Sequence, residues 1–491
     1  MSTNLTRNPG PSRSTDAVDP PEAFTPVGEL NVEGESRRRV VRHALIIFLA
    51  ALLVRLLFFS VRAMDMPAAW MRSGPFGQAE MGNIAVNLAA GRGFSSPFGP
   101  GSTPTAWLCP LIPLIWAAVI KILGSANGHT ALIVGYLGTV PSAAFVVVYW
   151  LIVRHLLRGN PVLRRTAFLA AAIFCIWPEA LYELDFPNLW YFPWEEFATA
   201  LVVLLGMKWI DRPSLKTVVP LGMAGGILAL INVTPVPIFA VALVVPAFRN
   251  PAGRSRSLGL GAVGATLALL LCLPWLVRNA VVFHTFVPTR SNGGFQFWEG
   301  NNSLGCVREA ADSQHPAIQP AILQRYQTMG EIDFSRQAFH LAMAYIRLHP
   351  REAMVRTLDR TYVFWLTDVL DRWKWDAKTE SWWEQGRPAI VKTLSATVPA
   401  WGLIALLIWA LLSKRLANLP YKEIFLSILV FLPFPYYFTL AENEYSQILR
   451  SWLLMLAILA VSGAFRRLPA EAEMGSPAYN LLGSSRRRTI P

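Results

Sequence analysis

TPTAWLCPLIPLIWAAVIKILG, residues Thr103 to Gly124, decides how this chain is threaded. It is apolar enough to suggest a membrane span, but Pro104, Pro110 and Pro113 break it and its uninterrupted part is short of the ~20 residues a span needs. Basic residues settle the reading, because Lys and Arg beside spans concentrate on the cytoplasmic side. Arg37 to Arg39, Arg154 with Arg158, Arg164 and Arg165, Lys208 with Arg212 and Lys216, Arg249 with Arg254 and Arg256, Lys414 with Arg415 and Lys422, and Arg466 with Arg467 occupy every second connection. The opposite connections carry Glu179, Glu183, Asp185, Glu195 and Glu196, then Glu442 and Glu444. Counting Trp107 to Leu123 as a span would put the Arg154 to Arg165 cluster outside. The segment therefore reads as a helix on the outer leaflet, and residues 63–129 become one long outer loop.

Composition points the same way. Of 491 residues, 53% are hydrophobic and 15% charged, and a mean hydropathy of +0.38 excludes an ordinary soluble domain. The net charge of +13 sits in clusters beside apolar segments and forms no continuous stripe, which argues against nucleic acid as a partner. Four cysteines with no CxxC or Cys/His spacing exclude a disulfide framework and a zinc motif. Apolar stretches at Val41–Val61, Thr130–Val153, Thr166–Trp177, Phe197–Ile210, Val218–Val233, Pro235–Phe248, Leu258–Val277, Leu394–Leu412, Ile424–Phe438 and Ile448–Phe465 read as about ten spans.

The expected architecture is an all-α polytopic membrane protein, multi-pass in the cell membrane with both termini cytoplasmic. Residues 1–40, rich in Pro, Ser and acids, read as a disordered tail and not as a signal peptide. Residues 41–283 form an N-terminal membrane module containing the 63–129 loop. Residues 284–393 are an outer region with amphipathic helices at Ile318–Met329, Phe334–Leu348 and Glu352–Trp365; residues 394–466 return to the membrane and 467–491 end as a cytoplasmic tail.

Candidate chemistry therefore faces outward. In FGQAEMGNIAVNLAAGRGFSSPFG (Phe76–Gly99), Glu80 stands on a helix whose apolar stripe is Met81, Ile84, Ala85 and Leu88, which sets the carboxylate near the interface. Its bland reading is a solvated loop acid. Gly77, Gly82, Gly91 and Gly93 would allow close backbone approach, and Ser95, Ser96, Thr103 and Thr105 would offer hydroxyls to a ligand. Arg55 lies in the outer half of the first span, where an unpaired charge costs about 2.5 to 3.5 kcal/mol on insertion scales. It either contacts a phosphate or an acid such as Glu80, or snorkels to the interface. LPWLVRNAVVFHTFVPTRSNGGFQFWEGNN (Leu273–Asn302) offers Arg278, Asn279, Arg290 and Asn301, and arginine forks suit phosphate. Interfacial anchoring explains the same residues equally well. His284 and His349, each isolated, read as structural, and the outer tryptophans (Trp190, Trp194, Trp298, Trp365, Trp373, Trp375, Trp382, Trp383) as an interfacial belt.

The acid-bearing helix followed by IAVNLAAGRGFSSPF (Ile84–Phe98), together with PWLVRN (Pro274–Asn279) and FVPTRSNGGFQFWEGNN (Phe286–Asn302), resembles the GT-C glycosyltransferases. The likeness is greatest to the family 39 and aminoarabinose-transferase-like branch, relatives of protein O-mannosyltransferases. It implies a GT-C-like bundle that moves a sugar, with inversion, from a polyprenyl-phosphate donor to a glycan, lipid or protein acceptor on the outer face. A loop carboxylate would act as general base and an arginine-lined pocket would hold the phosphate. The donor leaves a phosphate and no diphosphate, so no cofactor is implied and a divalent metal is not required. Relatives carry an Asp-Glu pair where this chain has Gly77 and Gln78, which moves the expected base to Glu80, about one turn along. Glu195, opening the fourth span, resembles a secondary acid and is the reserve. A transporter or flippase of lipid-linked sugars, or a non-catalytic subunit of the same fold, remains the alternative.

Overall fold

The computed structural model describes residues 37–64, 66, 71, 76, 79–99, 103–158, 164–184, 189–304, 313–366, 387–440 and 443–465. The 1–36 and 466–491 tails, Gly77, Gln78, Asp185, Cys306, the Trp373–Trp383 cluster and Glu442 lie outside them. Two units divide the chain, Met1–Leu45 and Ile46–Pro491, with the boundary inside the first helix; the described part of the first unit is that helix's opening turns.

The fold is all-α. Among the described residues there is no strand, and Ser95 and Pro104 make one isolated antiparallel bridge. The helices are α1 Arg37–Met64, α2 Ala79–Ala89, α3 Leu111–Leu123, α4 Gly128–Leu156, α5 Arg164–Cys175 and the short α6 Pro178–Tyr182. Then come α7 Phe192–Asp211, α8 Leu215–Ile231, α9 Val236–Arg249 and α10 Arg254–Phe283. The outer region holds α11 Gly293–Gly300, α12 Pro320–Met329, α13 Glu331–Leu348 and α14 Pro350–Leu366, followed by α15 Arg387–Leu412, α16 Lys422–Phe431 and α17 Asn443–Ser462.

Four of the described helices are long and apolar enough to cross a membrane: α1, α4, α10 with the 3-10 turn before it, and α17 from Tyr445. Helices α3, α5, α8 and α9 are apolar but shorter, and the 20-residue α7 carries Glu195, Glu196, Lys208 and Asp211. One expected span is broken: the helix over Ile424–Phe438 stops at Phe431, and a 3-10 turn takes over at Phe434–Tyr437. Pro433 and Pro435 are the cause, since each removes a backbone donor from the helix ladder. Helix α3 is 13 residues long, about 20 Å at 1.5 Å per residue, against a hydrocarbon core of about 30 Å. Gly124 ends it in the left-handed conformation (φ 71°), its N–H returning to Ile120 O.

Within the membrane module, small residues let helices approach. A Cβ on Gly222 of α8 would stand 2.5 Å from the carbonyl oxygen of Gly264 on α10, so the two backbones touch where neither carries a side chain. Helix α1 buries Ala51, Arg55 and Phe59 on one seam, while Leu49, Leu53, Leu57 and Val61 stay exposed, as on a helix with one face to protein and the rest to lipid.

Charged helix ends gather in two groups. At one end His155 Nε2 lies 2.9 Å from Asp211 Oδ2, Tyr421 donates to Asp211 Oδ1 at 2.5 Å, Arg158 pairs with Asp211, and Arg249 reaches Glu423 at 2.5 Å. These residues belong to connections that the charge alternation assigns to one face. At the other end Arg450 pairs with Glu179, Arg278 holds the 94–105 segment, and α11 to α14 pack together.

Candidate active site

Glu80 sits in the first turn of α2, where a carboxylate faces unpaired backbone N–H groups and the positive end of the helix dipole. Its side chain is 18% exposed, and its partner is His315, Nε2 to Oε1 at 3.4 Å. His315 Nδ1 accepts the Ala317 N–H at 3.1 Å, so in the neutral ring the proton belongs on Nε2, facing Glu80. The imidazole is held edge-on by Phe98 (5.4 Å) and Phe295 (5.5 Å). Phe98 in turn meets Trp107 at 5.0 Å and Tyr326 at 5.1 Å. Glu80 Oε2 has no protein partner among the described residues.

Arg290 lies across the same segment, half-buried, with Nε donating to Trp107 O at 3.4 Å. Around its guanidinium stand Tyr191, Cys109, Tyr445 and Tyr436, the last two stacked at 4.8 Å. Glu195, 1% exposed in the first turn of α7, lies within electrostatic reach of Arg290, and Asn232 is its polar neighbour. Its Oε2 is buried without a hydrogen-bond partner among the described residues. A relay of contacts, Glu80 to His315, His315 to Phe98 and Phe98 to Trp107, whose backbone carbonyl accepts from Arg290, joins the accessible carboxylate to a guanidinium with a buried carboxylate within electrostatic reach.

The remaining candidates hold protein together. Arg278 donates Nη1 to Thr105 O (2.7 Å) and Asn279 Oδ1 (2.9 Å) and Nη2 to Phe94 O (2.8 Å), with its guanidinium 5.0 Å over Trp275. Buried Asn279 donates to Val287 O at 3.0 Å. Asn301 donates to Phe297 O (2.9 Å) and Phe438 O (2.8 Å), tying α11 to the chain before α17. Arg55 does not snorkel: it is fully buried, with Nε on Ser142 Oγ at 2.7 Å and Nη1 on Cys175 O at 3.2 Å, and it meets no Glu80. Two details of the loop also differ from expectation. Gly91 and Gly93 are needed for positive φ (76° and 75°), with open space where a Cβ would go, and not for close approach. Ser95 and Thr105 are buried, and Thr105 donates to Glu331.

Four groups carry weight without having stood out in the sequence. Glu331, at the start of α13, accepts from Thr105 Oγ1, Ser291 Oγ, the Ala106 N–H (2.6 Å) and Tyr326 Oη (2.6 Å), joining three separate segments. Burial nevertheless pushes its carboxyl up from the usual carboxylate range, against the pull of those donors. Arg360 of α14, 6% exposed, donates to Tyr437 O at 2.9 Å and to Gly300 O; burial pushes it down to about 10. His315 is the partner of Glu80. Arg450 pairs with Glu179 at 2.5 Å, both fully inside.

Around that last pair the acidic connection proves to be interior. Glu179, Glu183, Glu195 and Glu196 are each 5% exposed or less. Glu196 accepts from Ser451 Oγ at 2.6 Å, while neither oxygen of Glu183 meets a donor among the described residues. Burial pushes the Glu183 carboxyl well up, and the adjacent Glu196 pushes it further. Among the described residues no group of three or more His, Cys, Asp or Glu is arranged to hold a metal.

Comparison with protein-family models and with curated proteins returns no match.

Proposed function

We propose that the chain is an integral membrane glycosyltransferase of the GT-C kind, crossing the membrane about ten times, with both termini cytoplasmic and the Glu80 end outside. It moves a sugar from a polyprenyl-phosphate donor to a hydroxyl of a glycan, lipid or protein. The observation that carries this reading is a carboxylate and a guanidinium joined through His315, Phe98 and Trp107. Glu80 has one oxygen on His315 and the other unpartnered, as a general base requires, and Arg290 offers a half-buried guanidinium among tyrosine hydroxyls. In the reaction the acceptor oxygen attacks the anomeric carbon as Glu80 takes its proton. The bond to the phosphate oxygen breaks with its electron pair, and Arg290 stabilises the departing anion. Attack opposite the leaving group inverts the anomeric centre.

Sugar transfer from labelled polyprenyl-phosphate donors in reconstituted membranes tests this. A positioned base contributes about 10² to 10⁴ in rate, so Glu80→Gln should lose that much, and Arg290→Met should weaken donor use. Full turnover in Glu80→Gln together with loss in Glu195→Gln moves the base to the reserve carboxylate. No transfer by the wild type across a panel of donors and acceptors overturns the enzyme reading.

A second reading, a transporter or flippase of lipid-linked sugars, draws on Arg55 and Arg450, buried within apolar spans, since intramembrane ionisable groups mark translocation paths. Movement of a labelled lipid-linked sugar between leaflets without transfer would favour it. A third, a non-catalytic subunit, draws on Gly77 and Gln78 and predicts neither activity.

A further inference from the structure

Helix α14 has two faces with different demands. Its inner face is fixed by Arg360 on Tyr437 O (2.9 Å), by Trp365 Nε1 on Tyr437 Oη (2.7 Å) and by Phe364 stacked on Tyr436 at 5.4 Å. Tyr436 and Tyr437 belong to the 3-10 turn just ahead of α17, one of the helices long enough to cross a membrane, and α14 also packs against α17 and α15. A helix seated against the end of a spanning helix lies at the depth where hydrocarbon gives way to headgroups.

Its other face is apolar at that depth. Met354, Val355, Leu358 and Tyr362 are 36 to 61% exposed, and at 100° per residue they fall within a sector of about 100°. Ahead of this stripe the turn from α13 presents Arg347, Leu348 and Arg351, with Leu348 76% exposed and the two arginines outside any ion pair among the described residues. Glu352, on the flank, is tied to Arg356 at 2.7 Å. Apolar side chains on one face, arginines at one end and Tyr362 at the other make the pattern of a helix lying in a membrane interface.

We propose that α14 docks on the bilayer surface, with Met354, Val355, Leu358 and Tyr362 immersed at the headgroup–acyl boundary and Arg347 and Arg351 on the phosphates of anionic lipid headgroups. Leu348 enters the same layer. The outer region is thereby held flat against the membrane at two places, through the turn before α17 and through lipid. This placement rests on the membrane character of the helices and is independent of any activity.

Depth measurement on the full chain tests it. With the four cysteines replaced by serine, single cysteines at Met354, Leu358 and, as a polar control on α12, Gln327 are labelled with an environment-sensitive fluorophore after reconstitution into vesicles. The vesicles are of zwitterionic lipid, or of the same lipid with a third anionic phosphatidylglycerol. The labels at Met354 and Leu358 should emit blue-shifted and be quenched several-fold more by shallow spin-labelled lipid than the label at Gln327. Anionic lipid should deepen the quenching, and Arg347→Glu with Arg351→Glu should abolish that lipid dependence. Water-like, unquenched emission at Met354 and Leu358 overturns the proposal. So does blue-shifted emission that lipid does not quench, which would instead mark the face as covered by a second copy or another protein. Quenching that ignores anionic lipid in the parent chain removes the arginine contacts.

Discussion

Single carboxylates in this protein are separated by what donates to them. Glu331 has four donors, Glu183 none among the described residues, and Glu80 one imidazole. Glu331 gives the clearest pH prediction. Burial raises its carboxyl above the 4.5 of an exposed glutamate, so the folded chain keeps the proton at a pH where the unfolded chain has lost it. The unfolded state then binds fewer protons, and the stability contributed at this site falls as pH rises from about 4.5 toward the folded value. Glutamine can take the same place, with its carbonyl on Ala106 N–H and Ser291 and its NH₂ donating to the Thr105 and Tyr326 hydroxyls. Glu331→Gln should therefore stay folded and show a smaller fall in melting temperature between pH 5 and pH 8 than the wild type in detergent. Equal slopes would refute the assignment. Glu331→Ala, which leaves Ala106 N–H buried without its acceptor, should cost about 1–3 kcal/mol more than the glutamine variant. None of this was legible beforehand. An acid in a first helical turn is ordinary, and a His pairing or a four-donor carboxylate depends on segments far apart in the chain, which local patterns do not register. For the same reason Glu179, Glu183 and Glu196 read in the sequence only as an acidic connection, with nothing to show that they are interior.

Helices were far more legible than contacts, because an apolar stretch long enough to need a helix announces itself by composition. The expected amphipathic helices at Ile318–Met329, Phe334–Leu348 and Glu352–Trp365 are found at Pro320–Met329, Glu331–Leu348 and Pro350–Leu366, within a few residues at each end. Failures fall at prolines, as in the break after Phe431. What composition does not give is which faces meet. Gly222 and Gly264 read as indifferent residues in apolar runs, but they are the point where α8 and α10 touch. Gly222→Leu would drive a Cβ to 2.5 Å from Gly264 O, a backbone atom with no rotamer to move, so the helices must part. The variant should lose folded yield on size exclusion in detergent or melt at least several degrees lower, whereas Gly259→Leu, with open space at its Cβ, should match the wild type. Equal behaviour of the two variants would mean that the α8–α10 contact is not part of the folded bundle.

In the bundle as a whole, the alternation of basic and acidic connections has a geometric consequence that composition does not impose. If the alternation is real, residues from connections of the same parity must end up beside one another. Arg158, Asp211, Tyr421, Arg249 and Glu423 do so at one end of the bundle, and Thr105, Glu179, Arg278, Arg450 and Glu331 are engaged in the packing at the other. Threading Leu111–Leu123 as a span would break this pattern, because every later connection would change face together and the contacts of Glu80 with His315, Phe94 and Thr105 with Arg278, and Thr105 with Glu331 would then join opposite faces. The expectation for a membrane is therefore definite. In a background with all four cysteines replaced by serine, single cysteines at the exposed positions Arg256 and Asn418 should react with an impermeant maleimide only after cells are permeabilised, while Ser303 and His349 should react in intact cells. Labelling of Ser303 and Asn418 from the same side would contradict the threading of α15. Labelling of Arg256 with His349 would contradict that of α10, and with it the placement of Glu80 and Arg290 on an outer face.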